Sequence, residues 1–245
     1  MKKRIGFFDF TGCEGCQLTV LNLEDQWLEL IELVKVAAFR EIMADTGEAL
    51  DIAFVEGSVG QPQEVRRLEE IRSRCDTLVA LGSCADNAGV NALSHFCEPQ
   101  RLAYSAYGRE VEGIEKTLPR PLSCFVKVDA RLPGCPVDGG EFLHLLQALL
   151  VGRTPELPQY SVCVECKLGE YPCTFEQGTV CLGPVTRAGC HALCIAGGDR
   201  CRGCRGLVDN PRSQPYRQIL EEHGLTVEDI LSEFRIFNLP QEEKP

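Results

Sequence analysis

Fifteen cysteines in 245 residues are the groups in this chain with the most chemistry to offer. The stretch FFDFTGCEGCQLTVLNLE (7–24) places Cys13 and Cys16 in a Cys-x-x-Cys pair, between an apolar run and a helix-like segment. Such a pair can be a dithiol switch, half of a zinc site or half of an iron–sulfur site. Cys84 closes LVALGSC, and Cys135 sits in ARLPGCPVDGG. Residues 161–206 then hold eight more: Cys163, Cys166, Cys173, Cys181, Cys190, Cys194, Cys201 and Cys204, with Cys-x-x-Cys pairs at both ends.

The surroundings favour metal over disulfides. The formal charge is −11, from 25 basic and 36 acidic residues, which argues against nucleic acid or an anionic membrane as main partner. The basic start MKKRIGFFDF runs into Asp9 and the cysteine pair, without the apolar stretch of a signal peptide. FLHLLQALLVG, the most apolar window, is too short to span a bilayer and contains His144 and Gln147. A cytoplasmic chain with no membrane span is expected. An odd number of thiols in a reducing compartment is a poor disulfide framework, so metal binding or catalysis is the better expectation.

Short apolar runs alternate with helical patterns over residues 1–152, the signature of a parallel sheet. KRIGFFDF (3–10), LDIAFVEG (50–57), DTLVALGS (76–83) and CFVKVD (124–129) are expected strands. Residues 21–39 are expected to be one helix, with Leu23, Trp27, Leu30, Ile31 and Val34 at helical spacing. PQEVRRLEEIRSR (62–74) and GGEFLHLLQALLVG (139–152) are two more. RTPELPQY (153–160) reads as a boundary. The 161–206 segment has too few large apolar residues to build a core, so its interior has to be metal. Helices are expected again at 215–224 and at 226–234, the latter with a Thr226-x-x-Asp229 capping pattern. The expected fold is α/β: a flavodoxin-like parallel sheet with helices on both faces (1–152), then a small cysteine-rich iron–sulfur domain (153–245).

In an open parallel sheet the carboxyl ends of the strands line one edge, and ligands gather there. Cys13, Cys16, Cys84 and Cys135 all follow expected strands, so four thiolates converge, as a 4Fe–4S cluster requires. Gly12, Gly15, Gly82 and Gly134 would let backbone N–H groups approach its sulfurs. A thioredoxin-like dithiol accounts for Cys13 and Cys16 but leaves Cys84 and Cys135 unexplained. The last eight cysteines suit two sites of four, and ligand type does not separate iron from two structural zincs. Between 187 and 212 the acidic chain turns basic through Arg187, Arg200, Arg202, Arg205 and Arg212, against Asp199 and Asp209. Guanidinium groups near anionic clusters would raise their potentials, and an ordinary basic surface patch is the plain alternative.

TGCEGCQL, LGSCA and GCPVDGGEFL, followed by CLGPVTRAGC, resemble the small, electron-transferring subunit of [NiFe]-hydrogenases. CVECKLGEYPC, CLGPVTRAGCHALC and CRGCRG are most similar to the cytoplasmic, multi-subunit class that includes the NAD(P)-linked sulfhydrogenases, its delta subunit above all. The resemblance implies a proximal 4Fe–4S cluster on Cys13, Cys16, Cys84 and Cys135, near the nickel–iron site of a large subunit. It implies a distal cluster on Cys163, Cys166, Cys173 and Cys181, and a medial one on Cys190, Cys201 and Cys204, with Cys194 as a fourth ligand. Many membrane-associated relatives have His where this chain has Cys163, and a three-cysteine 3Fe–4S medial site. Here both positions are Cys, so three 4Fe–4S clusters are expected. The related subunit of respiratory complex I resembles only the first domain and has a vicinal Cys–Cys.

With no nickel site of its own, the chain is expected to carry electrons between a large subunit and flavin- or iron–sulfur-containing acceptor subunits. These would be linked to NAD(P), coenzyme F420 or heterodisulfide reductase. A zinc-stabilised scaffold and a stand-alone thiol–disulfide oxidoreductase are the alternatives. Cys75, Cys97 and Cys124 lie outside the count, Cys75 and Cys124 as expected structural thiols. His191 is a weaker ligand candidate beside Cys190, and His95 and His144 read as packing or surface residues. Glu14 reads as a solvated carboxylate. Glu56, on the same sheet edge as the first cysteines, is the acidic residue to test first.

Overall fold

A computed structural model describes residues 2–109, 111, 118–209 and, further on, 218, 221–222, 226, 228, 232–233 and 235–237. The two expected C-terminal helices lie mostly outside the described residues, and Arg212 lies wholly outside them.

Five parallel strands form one sheet in the order β2-β1-β3-β4-β5: β1 (Lys3–Asp9), β2 (Val34–Phe39), β3 (Leu50–Glu56), β4 (Cys75–Leu81) and β5 (Ala130–Leu132). This is the flavodoxin order 2-1-3-4-5. Side chains alternate between faces along each strand. Ile5, Phe7, Ile52, Phe54, Val79 and Leu81 point to one face, where α1 (Gly15–Leu21), α2 (Asp25–Leu33) and α6 (Gly139–Leu150) cover them with Val20, Leu30 and Phe142. Phe8, Ala53, Val55, Leu78 and Ala80 point to the other, under Leu68 and Ile71 of α3 (Pro62–Ser73). Phe7 anchors the first face, stacked on Phe39 and Phe54 with ring centroids 4.4 and 4.9 Å apart. Both faces being buried explains why these strands read as continuous apolar runs.

Two expectations are corrected. Residues 21–39 are not one helix: α1 and α2 end by Leu33, and Val34–Phe39 form the edge strand β2 on β1. The helical spacing is real, and Trp27 and Leu30 do pack on the first face, but pairing with the open edge of β1 claims the β-branched VKV stretch. Residues 124–129 are not a strand either. Phe125 and Val126 donate their N–H groups back to Leu122 O in a 3₁₀ turn, pairing with β4 starts only with Asp129 N on Leu78 O, and the strand begins at Ala130. Elsewhere lie α4 (Ser83–Asn87), α5 (Pro99–Tyr107) and two short helices among the later cysteines, α7 (Val162–Leu168) and α8 (Leu193–Ala196). Among the described residues no helix is long and apolar enough to cross a membrane.

Candidate metal centres

Cys13 follows β1, Cys16 lies in the first turn of α1, Cys84 opens α4 directly after β4, and Cys135 follows β5. The four thus meet at the carboxyl edge of the sheet. The loops are stitched together: Gly82 N donates to Leu132 O and Ser83 N to Gly134 O, both at 2.8 Å. Burial first, and then Cys135 and Cys13, together drive the Cys84 thiol up to about 12. Cys16 is driven up more strongly, first by burial and then by Glu56. Glycine is required around these sulfurs. A Cβ on Gly82 (φ +83°) or Gly89 (φ +56°) would lie under 3.0 Å from the Sγ of Cys16 or Cys84.

Glu56, 4 % exposed, reaches from the end of β3 to the start of α1, where its two carboxylate oxygens accept from Cys16 N and Gln17 N at 2.9 Å. No side chain of the helix's own N-terminal residue does this, since Glu14 there is left-handed (φ 62°). A distant carboxylate therefore caps the helix that carries Cys16. Gln17 is fully buried beside it, and neither its amide oxygen nor its nitrogen closes a hydrogen bond. The buried Gln17 amide acts on the Glu56 carboxylate without closing a well-formed hydrogen bond, so it keeps capacity for a further acceptor.

The remaining eight thiols divide between two cavities. Cys190, Cys194, Cys201 and Cys204 line one of about 130 Å³, together with Cys135, Arg202 and Arg205. Cys163, Cys166, Cys173 and Cys181 line the other, with Val162, Phe175 and Gly183. In the second, Cys163 and Cys166 are one turn apart on α7, and Gly183 N and Cys201 N each donate to Cys181 Sγ at 3.4 Å. Burial, helped by the neighbouring thiols, raises Cys163 to about 11 and Cys204 to about 12. Cysteines make up part of the apolar cluster around them: Val162, Ala192 and Ile195 pack with Cys181 and Cys201, edged by Cys166, Cys190, Tyr171 and Phe175. Glu165 holds the Cys190 loop, accepting from Gly189 N at 2.8 Å and Ala192 N at 3.3 Å, which lets His191 and Ala192 stay left-handed.

The three groups lie in series. Cys135 acts on the thiol of Cys204, and Cys181 on those of Cys194 and Cys201. Ser83, beside Cys84, donates through Oγ to Cys204 O at 2.5 Å. The group of Cys190, Cys194, Cys201 and Cys204 is thus the middle one. Among the described residues no three His, Cys, Asp or Glu side chains meet closely enough to hold a single metal ion. The eight later thiols instead line two cavities, an arrangement that fits multi-iron clusters, in which each thiolate binds a different iron.

Other candidates lie elsewhere. His191 is exposed and lines neither cavity. His95 sits with Nε2 2.7 Å from Pro119 O, and His144 is exposed on α6. Cys75 is buried at the far end of β4 from Cys84, Cys124 lies in the 3₁₀ turn, and Cys97 is exposed. Glu14 lies 3.7 Å from Arg40 at the surface. Sequence reasoning passed over Gln17, Ser83, Glu141 and Glu165. Glu165 alone had a visible signal, its place inside Cys163-Val-Glu-Cys166.

Residues 13–149 match the family model described as NADH ubiquinone oxidoreductase, 20 Kd subunit. The chain is 35% identical over 237 residues to the sulfhydrogenase 2 subunit delta of Pyrococcus furiosus, covering 96% of this chain and 98% of that one. It is 31% identical over 175 residues to the NAD-reducing hydrogenase HoxS subunit delta of Cupriavidus necator, covering 64% of this chain and 83% of that one. A crystal structure of an NAD+-reducing [NiFe]-hydrogenase in the H2-reduced state contains a chain that superposes with a TM-score of 0.57 at 29% identity, over 64% of this chain and 96% of that one. The family model stops before the cysteine-rich segment, while the Pyrococcus furiosus delta chain extends through it. The chain belongs to the NADH ubiquinone oxidoreductase 20 kDa subunit family and, across its length, to the family of hydrogenase delta subunits.

Proposed function

We propose that this chain is the electron-transferring small subunit of a cytoplasmic, heteromeric [NiFe]-hydrogenase and holds three 4Fe–4S clusters. Cys13, Cys16, Cys84 and Cys135 would hold the proximal one, Cys190, Cys194, Cys201 and Cys204 the medial one, and Cys163, Cys166, Cys173 and Cys181 the distal one. The observation that carries this reading is the serial arrangement of twelve thiols in three groups of four, from the sheet edge into the cysteine-rich segment. Bound clusters supply one-electron carriers whose potentials depend on burial, charge and hydrogen bonds to sulfur.

The chain's own residues supply the rest. Glycines 82, 89 and 183 keep bulk away from the sulfurs. Backbone N–H groups of Gly183 and Cys201 donate to Cys181. Ile195 and Val162, largely buried, exclude water from the two inner cavities. The sheet-edge group would face the large subunit bearing the nickel–iron site. The group on α7 would face a flavin- or iron–sulfur-containing acceptor subunit. Residues 1–152 and 153–245 would act as the two functional units. Against a stand-alone dithiol stands Cys16, buried and driven up by burial, where a reactive thiol needs exposure and a lowered pKa. Against structural zinc stands the spread of the eight later thiols around two cavities, because a zinc ion needs all four sulfurs at ~2.3 Å.

Iron, acid-labile sulfide and zinc assays on the anaerobically purified complex, with spectra of the dithionite-reduced protein, test the reading. The expected result is a brown protein with three reducible paramagnetic centres. Colourless protein with stoichiometric zinc overturns it.

A further inference from the structure

Arg205 is 2 % exposed, among the largest fully enclosed side chains in the molecule. Its Nε donates to Ala188 O at 2.7 Å, Nη1 to Pro133 O at 2.6 Å, and Nη2 to both oxygens of Glu141 at 2.7 and 2.8 Å. Each acceptor belongs to a segment that carries or follows a cluster-binding cysteine. Pro133 precedes Cys135 by two residues, Ala188 precedes Cys190 by two, and Glu141 opens α6 just after Cys135. The fit is tight. Gly189 (φ +112°) passes so near that a Cβ there would fall under 3.0 Å from Arg205 and from Glu141.

The pair is also oriented. Arg205 lines the cavity ringed by Cys190, Cys194, Cys201 and Cys204, while Glu141 is not among its lining residues. Arg205 thus borders the middle group, where its charge acts on Cys190, and Glu141 lies outside that border. A buried guanidinium held by three acceptor groups cannot swing out to solvent, so its charge acts at a fixed place in a medium that screens poorly.

We infer that the Arg205–Glu141 pair fixes the junction between the proximal and medial groups and raises the reduction potential of the medial one, with Arg205 as the positioning residue. This rests on the three-cluster reading. Positive charge toward a cluster favours the added electron, and the carboxylate behind it weakens that effect. Removing the two charges therefore moves the potential in opposite directions, which a purely structural role would not do.

The test is a redox titration of the whole complex, monitored by paramagnetic resonance, for wild type, Arg205→Met, Arg205→Lys and Glu141→Gln. Arg205→Met is expected to lower the reduction constant of the medial centre about tenfold, ~59 mV for one electron. Arg205→Lys keeps the charge and shifts it less. Glu141→Gln raises it. The distal centre moves least in all three. Equal shifts at all centres, shifts of the same sign in Arg205→Met and Glu141→Gln, or no shift overturn the inference. Should Arg205→Met fail to assemble, Glu141→Gln decides: an upward shift supports the inference, and no shift or a downward one overturns it. Iron and sulfide contents of the wild type fail separately, and such a failure sinks the cluster reading, not the sign of these shifts.

Discussion

The sheet domain and the cysteine-rich segment of this chain hold their thiols in opposite ways. At the sheet edge the thiols are guests of a core that needs no metal: Phe7, Phe39, Phe54 and Phe142 pack behind them and the ladder from β2 to β5 is complete. In the cysteine-rich segment, Cys181 and Cys201 belong to the five-residue buried cluster, and α7 and α8 are too short to stand alone. On the cluster reading proposed above, the fold positions the ligands in the sheet domain, whereas in the cysteine-rich segment the ligands position the fold.

Removing the metal breaks that comparison most directly. Anaerobic chelation of the isolated complex is expected to open residues 161–206 to protease and to hydrogen exchange, while strands β1 to β4 keep their protection. Uniform loss of protection across both regions would mean that the sheet also depends on bound metal, and the distinction would fail.

Glycine substitutions sharpen the same contrast. Gly82→Ala puts a Cβ within 3.0 Å of Cys16 Sγ at a left-handed position, so if three 4Fe–4S clusters are held as proposed, the sheet-edge one is lost and with it about a third of the total iron. The sheet itself should survive, with circular dichroism near wild type. Gly183→Ala places its Cβ at 3.3 Å from Cys181 Sγ and 3.4 Å from Cys163 Sγ, with no left-handed φ, so iron loss should be smaller. If Gly183→Ala loses more iron than Gly82→Ala, crowding at the sulfur is not what these glycines relieve.

The sequence made the sheet legible because both its faces are buried and its strands are unbroken apolar runs. The edge strand β2 was not legible, because VKVAAF follows helical spacing without a break and only the open side of β1 makes it a strand. The partition of the last eight cysteines came from family resemblance, because their spacing alone allows more than one division into fours. What spacing hides is the second layer. Arg205 stood out only as one basic residue among several, and nothing near Glu141 in sequence marks it as its partner 64 residues away. Long-range pairs of this kind follow from the loops that packing brings together, not from any local pattern.

Ser83→Ala probes the seam between the two regions. The hydroxyl is buried and its bond to Cys204 O leaves Asn87 Nδ2, at 3.5 Å, as a weaker donor to that carbonyl. Loss of one such bond should cost about 1 kcal/mol and raise the exchange rate of amides around Cys204 ahead of those in the sheet. Exchange confined to the sheet would show that the seam is held elsewhere.

The smallest effect belongs to Asp9, at the end of β1 behind the first cysteine pair. Burial opposes its charge, but Arg67, whose Nη2 lies 3.1 Å away, and Arg40 outweigh burial and hold the carboxyl below the usual range. A carboxyl depressed on folding adds stability above its unfolded pKa, and that stability is lost as pH falls through the folded value. Both guanidiniums are more than a third exposed, which screens the interaction, so Asp9→Asn should cost no more than about 1 kcal/mol near neutral pH. The difference from wild type should shrink below pH ~4 as the native carboxylate takes up its proton. Denaturant midpoints measured at several pH values read this directly. A difference that grows on acidification would mean that the carboxyl is held up, not down, and that burial prevails over the two arginines even at the rim of the sheet.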